Sequence, residues 1–415
     1  MDITKENIVE YVKSRLPFFR SDGQIRISAI GEGSAEEDGD GFINFIYRVS
    51  DGQHHLIVKQ SRPVGRSGSF RNLDLNRYKL EYESMKIRQA IVPEFIPAVY
   101  DCDEENRVMI TEDVSYLRIS RFQLLKGVIF PNLADHIARY MAATEFYTSE
   151  YYLPGKDFRD LAVHFMNPRM RMIMDVSMFL TQVDERDTVS RPMDPDFVTF
   201  ARRVCADPQV LISRQKLRHL YMTKGECLIH SDLHTSNIFA GPEETKVIDM
   251  EYTFCGPFSY DLGYFTANFI AQYAAATFRP FSSEEARITF KKYCISMIRD
   301  TYLKFCDYFI DYWRQDAKDV YKNIPGLEED FRLTTLREFI GFAASAQLGR
   351  ICNVIAYVDY DDIDDYVQRH NAKCLSIIIN KQMLLRWESY HTIDEFIDEI
   401  YAIEEIYCRN IRDLV

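Results

Sequence analysis

The sequence predicts an α+β protein of two lobes, with a small antiparallel-sheet N-lobe and a large, mainly helical C-lobe. Short apolar runs alternate with glycine-rich and acidic turns over the first 113 residues, as expected for hairpins. Apolar residues then recur at helical spacing over most of the remaining chain. The length of 415 residues also exceeds what one compact core usually holds. We therefore expect an N-lobe over residues 1–113 and a C-lobe over residues 114–415.

Composition and charge restrict the class of protein and its partners. The chain is 47% hydrophobic and 27% charged, which is typical of folded globular proteins. Its formal charge of −13 argues against nucleic acid as a partner, because phosphate backbones are held by an excess of lysine and arginine. A phosphorylated small molecule stays open as a ligand, since a metal ion and a few cations can hold one.

Cysteine usage and the N-terminal segment indicate a cellular location. The nine cysteines are scattered and form no CxxC pair, which favours a reduced, cytoplasmic compartment. The first residues lack the apolar segment of a secretion signal. No window approaches the roughly 18 apolar residues of a membrane helix, so we expect no membrane partner.

The N-lobe is expected to carry five strands and one helix, after an N-terminal helix near residues 4–16. A third strand is predicted to end at Lys59, after a hairpin marked by Asp51-Gly52 between alternating runs. The glycine-rich turn before these strands can lay backbone N–H groups against phosphates, because glycine has no Cβ to block the approach. Gly41 in this turn and Asn44 just after it are candidate cofactor-binding residues, although an ordinary acidic hairpin turn explains the pattern as well.

Lys59 has two interpretations at this stage. A lysine near a strand end is often an edge residue that keeps a sheet soluble. Its position one hairpin after a glycine-rich turn also fits a lysine that contacts phosphate, as on the third strand of kinases. A helix predicted over residues 74–91 carries Glu81 and Glu83 as candidate partners for Lys59, or as a solvated acidic pair.

The rest of the chain is predicted from the same two periodicities. Two further strands are expected near residues 98–100 and 108–111, after which Glu112 and Val114 leave the sheet. Residues 184–195 are polar and contain proline, which indicates a surface loop. C-lobe helices are predicted over residues 133–147, 158–165, 170–179, 196–205, 264–275, 283–309, 336–357, 370–386 and 392–409.

The stretch over residues 228–263 carries the residues suited to chemistry. His230, Asp232 and Asn237 have the spacing of a kinase-type catalytic loop, in which an aspartate precedes an asparagine by five residues. Asp232 can accept the proton of an attacking hydroxyl group, and Asn237 offers an uncharged oxygen to Mg²⁺. The alternative of a polar loop with capped turns explains one aspartate but not the spaced set.

Two more carboxylates follow a predicted hairpin in the same stretch. Apolar runs at residues 238–240 and 246–248 flank a turn at Gly241, which places Asp249 at a strand end. If the backbone stays extended, Glu251 lies on the same face as Asp249 and the two form a paired ligand for Mg²⁺.

Zinc is the competing metal at this stage. His230, Asp232 and His234 alternate along the chain and would converge on a transition metal if the segment were a regular, inward-facing strand. No further cluster of cysteine or histidine lies near them in the sequence, and the phosphoryl-transfer interpretation accounts for more of the residues.

The segments LIHSDLHTSNIFA and ETKVIDMEYTFCGPFSYDLG closely resemble the methylthioribose kinase family, and the similarity extends upstream to LIVKQ, ITEDVSYLR and NLADHIARYMAATEFYTS. These are small-molecule kinases of the aminoglycoside-phosphotransferase type with a protein-kinase-like two-lobe fold. The resemblance implies ATP- and Mg²⁺-dependent phosphorylation of the anomeric hydroxyl of 5-methylthioribose, a step of methionine salvage. It also implies a homodimer, with ATP and a small sugar as the partners.

The resemblance assigns roles to individual residues of this chain. It implies that Asp232 is the catalytic base and that Lys59 binds phosphate with Glu81 as its helix partner. It also implies that the hinge contacts adenine through the backbone of Glu112 and Val114. Asp249 and Glu251 are implied to be the metal ligands. Asn237 resembles the general phosphotransferase asparagine, which contacts both metal and nucleotide.

The chain departs from the family pattern mainly around the sugar. Paired arginines of the family are replaced by Gly349-Arg350, so that Arg350 is either the remaining substrate ligand or a structural ion-pair partner. A tryptophan-bearing loop is replaced by residues 66–77, where Arg66 and Arg71 are candidate cations and Phe70 is a candidate to cover the sugar. A related 5-substituted pentose, an aminoglycoside acceptor and a non-catalytic nucleotide-binding module therefore stay open as alternatives.

Overall fold

A computed structural model of the chain describes residues 1–19, 24–34, 36, 39, 43–66, 73–180, 194–352 and 358–412. Gly41, the candidate glycine of the phosphate-side turn, lies outside these residues. So do Phe70 and Arg71 of the departing loop, residues 184–193 of the polar loop, and residues 353–357 at the end of a predicted helix.

The N-lobe is built on a five-stranded sheet, as the sequence predicts. Its strands lie in the order β1-β2-β3-β5-β4 and every neighbouring pair is antiparallel. The hairpin between β2 and β3 turns at Asp51, whose Oδ1 accepts hydrogen bonds from the N–H groups of Gln53 and His54 at 2.9 and 2.6 Å. The strands are β1 (Arg26–Ala29), β2 (Phe45–Ser50), β3 (His55–Gln60), β4 (Val99–Asp103) and β5 (Val108–Glu112).

Two helices pack on this sheet with different chemistry. Helix α1 (Ile8–Arg15) begins after the expected residue 4 and buries Ile8 and Val12 against the apolar side chains of β2, β3 and β5. Helix α2 (Arg77–Ile91) instead buries a polar side. Its inward residues are Arg77, Glu81, Ser84 and Arg88, each no more than 2% exposed. Because buried charges need partners, α2 is committed to specific contacts rather than to general apolar packing.

The C-lobe is helical as predicted, with small sheets at its upper edge. Helices α3 and α8 and the two-residue strand β6 were not predicted, and α9 begins at Phe258 rather than near Tyr264. The helices are α3 (Ser120–Leu125), α4 (Leu133–Tyr147), α5 (Gly155–His164), α6 (Pro168–Asp175), α7 (Pro195–Cys205), α8 (Pro208–Thr223), α9 (Phe258–Phe278), α10 (Glu284–Asp316), α11 (Leu327–Cys352), α12 (Tyr366–Arg386) and α13 (Ile393–Arg412).

Two short sheets carry the stretch singled out in the sequence. Strands β8 (Ile238–Ala240) and β9 (Thr245–Val247) form the predicted hairpin, and β6 (Arg118–Ile119) pairs with β8. Strand β7 (Cys227–Ile229) pairs with β10 (Phe254–Gly256). The segment between β7 and β8 is therefore fixed at both ends, and it lies below the N-lobe sheet.

Helices α9 and α11 form the centre of the C-lobe core. Helix α9 is buried along nearly its whole length, including Phe265 and Phe269. Gly263 allows its close approach to α11, since a Cβ there would lie 2.7 Å from the carbonyl oxygen of Phe339 and 2.8 Å from Cβ of Phe342. No described helix is long and apolar enough to cross a bilayer, and no disulfide joins the nine cysteines, all of which are described.

Gly263→Ala is expected to lower the free energy of unfolding by about 1–3 kcal/mol, because the added methyl meets backbone that cannot rotate away. Urea unfolding followed by circular dichroism measures the change. Gly155→Ala is the matched control, since no atom lies within 4 Å of the position its Cβ would take. Equal stability of the two variants would contradict this account of the α9–α11 contact.

Candidate active site

The loop between β7 and β8 is shaped by one buried carboxylate on α9. Asp261 accepts hydrogen bonds from the N–H groups of His230 and Ser231, at 2.5 and 2.8 Å. Ser231 has a φ of 69°, a left-handed conformation that is uncommon for residues other than glycine. The two bonds to Asp261 stabilise this turn, which directs the next residue, Asp232, into the cleft between the lobes.

Asp232 is held by side chains of its own loop and of α9. Tyr264 donates its hydroxyl to Oδ1 of Asp232 at 3.0 Å. Asn237 donates its amide to Oδ2 at 3.3 Å and to the Asp232 carbonyl at 3.0 Å, and His234 Nε2 lies 3.5 Å from Oδ2. Both carboxylate oxygens are thus oriented before any ligand arrives, as general base catalysis requires.

Burial sets the protonation behaviour of Asp232. Removal from water raises the pKa of this carboxyl to about 7, with Arg350 opposing the shift and Asp249 adding to it. Arg350 reaches the same group indirectly, because its Nη1 donates to the Tyr264 hydroxyl at 3.1 Å while its guanidinium lies over the Tyr264 ring. Arg350 therefore lines the cleft beside Asp232.

Lys59 joins the two lobes through two carboxylates. Its Nζ lies 2.7 Å from Oε1 of Glu81 on α2 and 2.5 Å from Oδ1 of Asp249 in the C-lobe. Burial alone would lower the pKa of Lys59, but Asp249 and Glu81 raise it above its usual range, so the ammonium stays charged. Glu83, the other candidate, turns away and contacts His164.

Asp249 and Glu251 do not continue an extended strand, so that part of the sequence prediction is wrong. Strand β9 ends at Val247, and Asp249 has a φ of 67°. Burial favours the neutral form of Asp249, yet Lys59 outweighs burial and lowers its pKa. The left-handed turn directs Asp249 toward Lys59.

Glu251 is almost fully buried in a second ionic cluster. Arg77 Nε lies 3.2 Å from its Oε2, and Asn44 Nδ2 donates to the same oxygen at 2.9 Å. Arg77 Nη2 also donates to the side-chain Oδ1 of Asn44 at 2.9 Å, so that the three side chains form a closed set. Asn44 thus binds α2 and Glu251 with its side chain while it also lines the cleft.

The described carboxylates fit a hard divalent cation. Oxygen atoms of Glu81, Asp249 and Glu251 approach within 4.8 Å of one another. Oε2 of Glu81 is buried without a hydrogen-bond partner, which indicates a cluster with more acceptors than donors. The side-chain NH₂ group of Asn237 donates to Asp232, so the side-chain oxygen Oδ1 of Asn237 is the atom that remains for a cation. All of these ligands are oxygens, which Mg²⁺ prefers.

The zinc alternative does not fit the same loop. His230 accepts from the N–H of Asp232 with Nδ1 and lies 2.9 Å from the Ile248 carbonyl with Nε2. His234 accepts from the N–H of Ser236 with Nδ1. Because both ring nitrogens of His230 are engaged by backbone, His230 cannot converge with His234 on a metal.

One part of the cleft lies where β5 ends. Glu112 closes β5 and Val114 follows it, and both line the cleft. Within the described residues the N–H of Val114 has no hydrogen-bond partner, which leaves it available to a planar ligand. The cleft is apolar above and below this point, where it is lined by Ile46, Ile57, Met109, Ile119, Phe239 and Ile248.

Several lining residues were missed in the sequence. Tyr264 lies three residues after Asp261 on α9, and this helical spacing is the signal that would have placed it beside the catalytic loop. Ile173, Met174, Ser177 and Met178 also line the cleft, close to Arg350. Nothing in the local sequence around residues 173–178 distinguishes them from core residues.

Comparison with known proteins identifies the family. A model described as the phosphotransferase enzyme family matches residues 191–294. A methylthioribose kinase from Geobacillus sp. (strain WCH70) is 31% identical over 377 residues, covering 89% of this chain and 91% of that protein. The chain belongs to the methylthioribose kinase family. A second member, from Exiguobacterium sibiricum, is 31% identical over 355 residues and covers 85% of this chain and 88% of its own length.

Membership in the methylthioribose kinase family agrees with the fold. The structure is similar to a choline kinase from Cryptosporidium parvum Iowa II, with a TM-score of 0.50 at 13% identity, covering 94% of this chain and 99% of that chain. The predicted α+β, protein-kinase-like two-lobe fold is confirmed, with the sheet in the small lobe and the helices in the large one.

Asp261→Asn is expected to lower the free energy of unfolding by about 1–3 kcal/mol, because one amide oxygen cannot serve both N–H groups that the carboxylate binds. Chemical denaturation measures the change. Asp316→Asn removes a charge from an exposed partner of Tyr147 and should stay within about 0.5 kcal/mol of the parent. If Asp261→Asn were as small in effect, Asp261 would not be what shapes the loop.

Proposed function

We propose that this protein transfers the γ-phosphate of Mg²⁺-ATP to the anomeric (C1) hydroxyl of 5-methylthioribose, in methionine salvage. The proposal is carried by one arrangement: Asp232, a buried and pre-oriented base, lies in the same cleft as the Lys59–Asp249 pair. A base for the acceptor hydroxyl and charges for the phosphates are the two requirements of phosphoryl transfer. The identity of the sugar is inferred from the names of the relatives, which are methylthioribose kinases.

Asp232 orients the acceptor hydroxyl and takes its proton. Its raised pKa, about 7, lies close to neutrality, where a group can both accept and release a proton. Tyr264 and Asn237 keep the carboxylate from rotating, which reduces the entropy lost on reaching the reactive geometry.

Lys59 is the cation placed for the phosphates. It is already charged and oriented by Glu81, so no reorganisation is needed when negative charge develops on the transferred group. Asp249 and Asn237 would hold the magnesium ion, with Glu251 as the second carboxylate beside Asp249. When bound, the ion neutralises phosphate charge and fixes the triphosphate in line with the acceptor.

The residues proposed to bind adenine and the sugar line different parts of the cleft. The backbone of Glu112 and Val114 would bind adenine between the apolar side chains above and below it. Arg350 and Tyr264 would bind the sugar hydroxyls on the acceptor side. We also propose that the N-lobe ends at residue 113, immediately after β5, and that the C-lobe begins at residue 114. A cytoplasmic location and a homodimer complete the proposal, the first from cysteine usage and the second from family resemblance.

Asp232→Ala should reduce kcat by about 10²–10⁴-fold, because the acceptor loses its base. Binding of Mg²⁺-ATP, measured by calorimetry, should stay within about 3-fold, since the phosphate contacts lie on Lys59 and Asp249.

Glu243→Ala is the control for this substitution, because it removes an exposed carboxylate on the hairpin that follows the same loop. It should turn over like the parent. Near-parental kcat in Asp232→Ala would refute the proposed role of Asp232, and loss of nucleotide binding would assign this residue to the nucleotide site instead.

A further inference from the structure

Helix α6 is continued by a π-helical turn, Val176–Leu180, which we call the π turn. Single π-helical turns are rare and occur frequently at functional sites, because the wider turn changes the direction of the side chains that follow. Here Ser177 and Met178 of the π turn, with Met174 just before it, line the cleft together with Asp232 and Arg350. Ser177 and Met178 also lie against Gly349, the residue before Arg350, so the π turn is a wall of the cleft beside Arg350.

The π turn is held in place by its backbone. The carbonyl oxygen of Met178 accepts two hydrogen bonds at 3.0 Å, from Nη2 of Arg214 on α8 and from Oγ of Ser345 on α11. Both donors are almost completely buried. Because residues of two helices bind the Met178 carbonyl oxygen, the backbone of Met178 is fixed. Its side chain therefore projects from a defined position in the cleft wall.

Gly349 determines how closely α11 and the π turn approach. A Cβ at this position would lie 2.4 Å from the carbonyl oxygen of Ser177 and 3.0 Å from Cα of Met178. Both atoms belong to the backbone, so no side-chain rotation relieves the overlap. Arg350 follows directly, which means that two successive residues of α11 set two walls of the cleft: the π turn and the guanidinium.

The two walls have opposite chemistry. Arg350, Tyr264 and Asp232 offer charge and hydrogen bonds, which suits the ring hydroxyls of a sugar. Met174 and Met178 offer flexible, polarizable thioether side chains, which suit an apolar or sulfur-containing group. An acceptor that satisfies both walls is polar at the reacting end and apolar at the other.

We propose that the π turn, at the depth allowed by Gly349, is the specificity-determining wall for the C5 substituent of the acceptor pentose. It selects uncharged alkylthio or alkyl groups and limits their length through Met174 and Met178. This inference rests on the proposed sugar-kinase function, which it deepens by naming the part of the substrate that is discriminated and the residues that do so.

The test compares kcat/KM for 5-methylthioribose and for 5-butylthioribose in each variant. Met178→Ala should shift the ratio toward the butyl compound by roughly 10-fold or more, because the removed side chain leaves room for the longer group. Gly349→Ala should shift it the other way by displacing the π turn into the cleft. KM for ATP should stay within about 2-fold of the parent in both, since neither residue belongs to the set proposed to bind the nucleotide.

Gly341→Ala is the control for an added methyl group elsewhere on the same helix, since its Cβ would lie 2.5 Å from a side-chain atom, Leu217 Cδ2, outside the cleft. Its ratio should equal that of the parent. A ratio is insensitive to the fraction of folded protein, and Met178→Ala keeps the test available if Gly349→Ala folds poorly.

The outcomes separate the two proposals. Turnover of both sugars by the parent, with ratios unchanged within about 2-fold in Met178→Ala and Gly349→Ala, overturns the inference and leaves the proposed function standing. No turnover of either sugar by the parent, while Mg²⁺-ATP still binds, overturns the proposed function and the inference with it.

Discussion

The buried ammonium of Lys59 ties the sheet of the small lobe to the helices of the large one. It is held between Glu81, which α2 supplies, and Asp249, which follows the β8–β9 hairpin. Removing Lys59 would leave the Glu81 carboxylate buried without its cation, and breaking a buried ion pair in this way costs about 3–5 kcal/mol in proteins. The same three groups face the position proposed for the phosphates. Stability and the arrangement of the nucleotide site therefore depend on one interaction.

The polar side of α2 extends this connection on both sides of Lys59. Toward the start of the helix, Arg77 binds Glu251 together with Asn44. Toward its end, Arg88 donates to the Leu228 carbonyl of β7 at 3.0 Å. Two contacts thus run directly from a single helix to β7 and to the turn after β9, and a third reaches that turn through Lys59. A helix with an apolar inner face could pack here, but it would not fix the position of one lobe relative to the other, because apolar contacts are not directional.

Much of the fold could be predicted because its signals are local. Asp51-Gly52 marks a hairpin by its turn preference, and the spacing of Asp232 and Asn237 marks the β7–β8 loop as the candidate catalytic loop. Asp249 was placed at the right strand end, but its left-handed backbone was not predicted, because a non-glycine residue in that region depends on contacts such as the one with Lys59.

Tyr264 and the π turn were missed for a related reason: each is brought to the cleft by packing between helices that are distant in sequence. From the sequence, Gly349 was interpreted only as the loss of one of the family's paired arginines. The structure shows that it also allows close contact between α11 and Ser177.

Transfer of phosphate to the anomeric hydroxyl is the central claim, and the identity of the product tests it most directly. The purified protein is incubated with Mg²⁺-ATP and 5-methylthioribose, and the product is analysed by ³¹P and ¹³C NMR. The account predicts one sugar phosphate in which phosphorus couples to C1. Phosphate on any other oxygen, or ADP formed without a sugar phosphate, would contradict it.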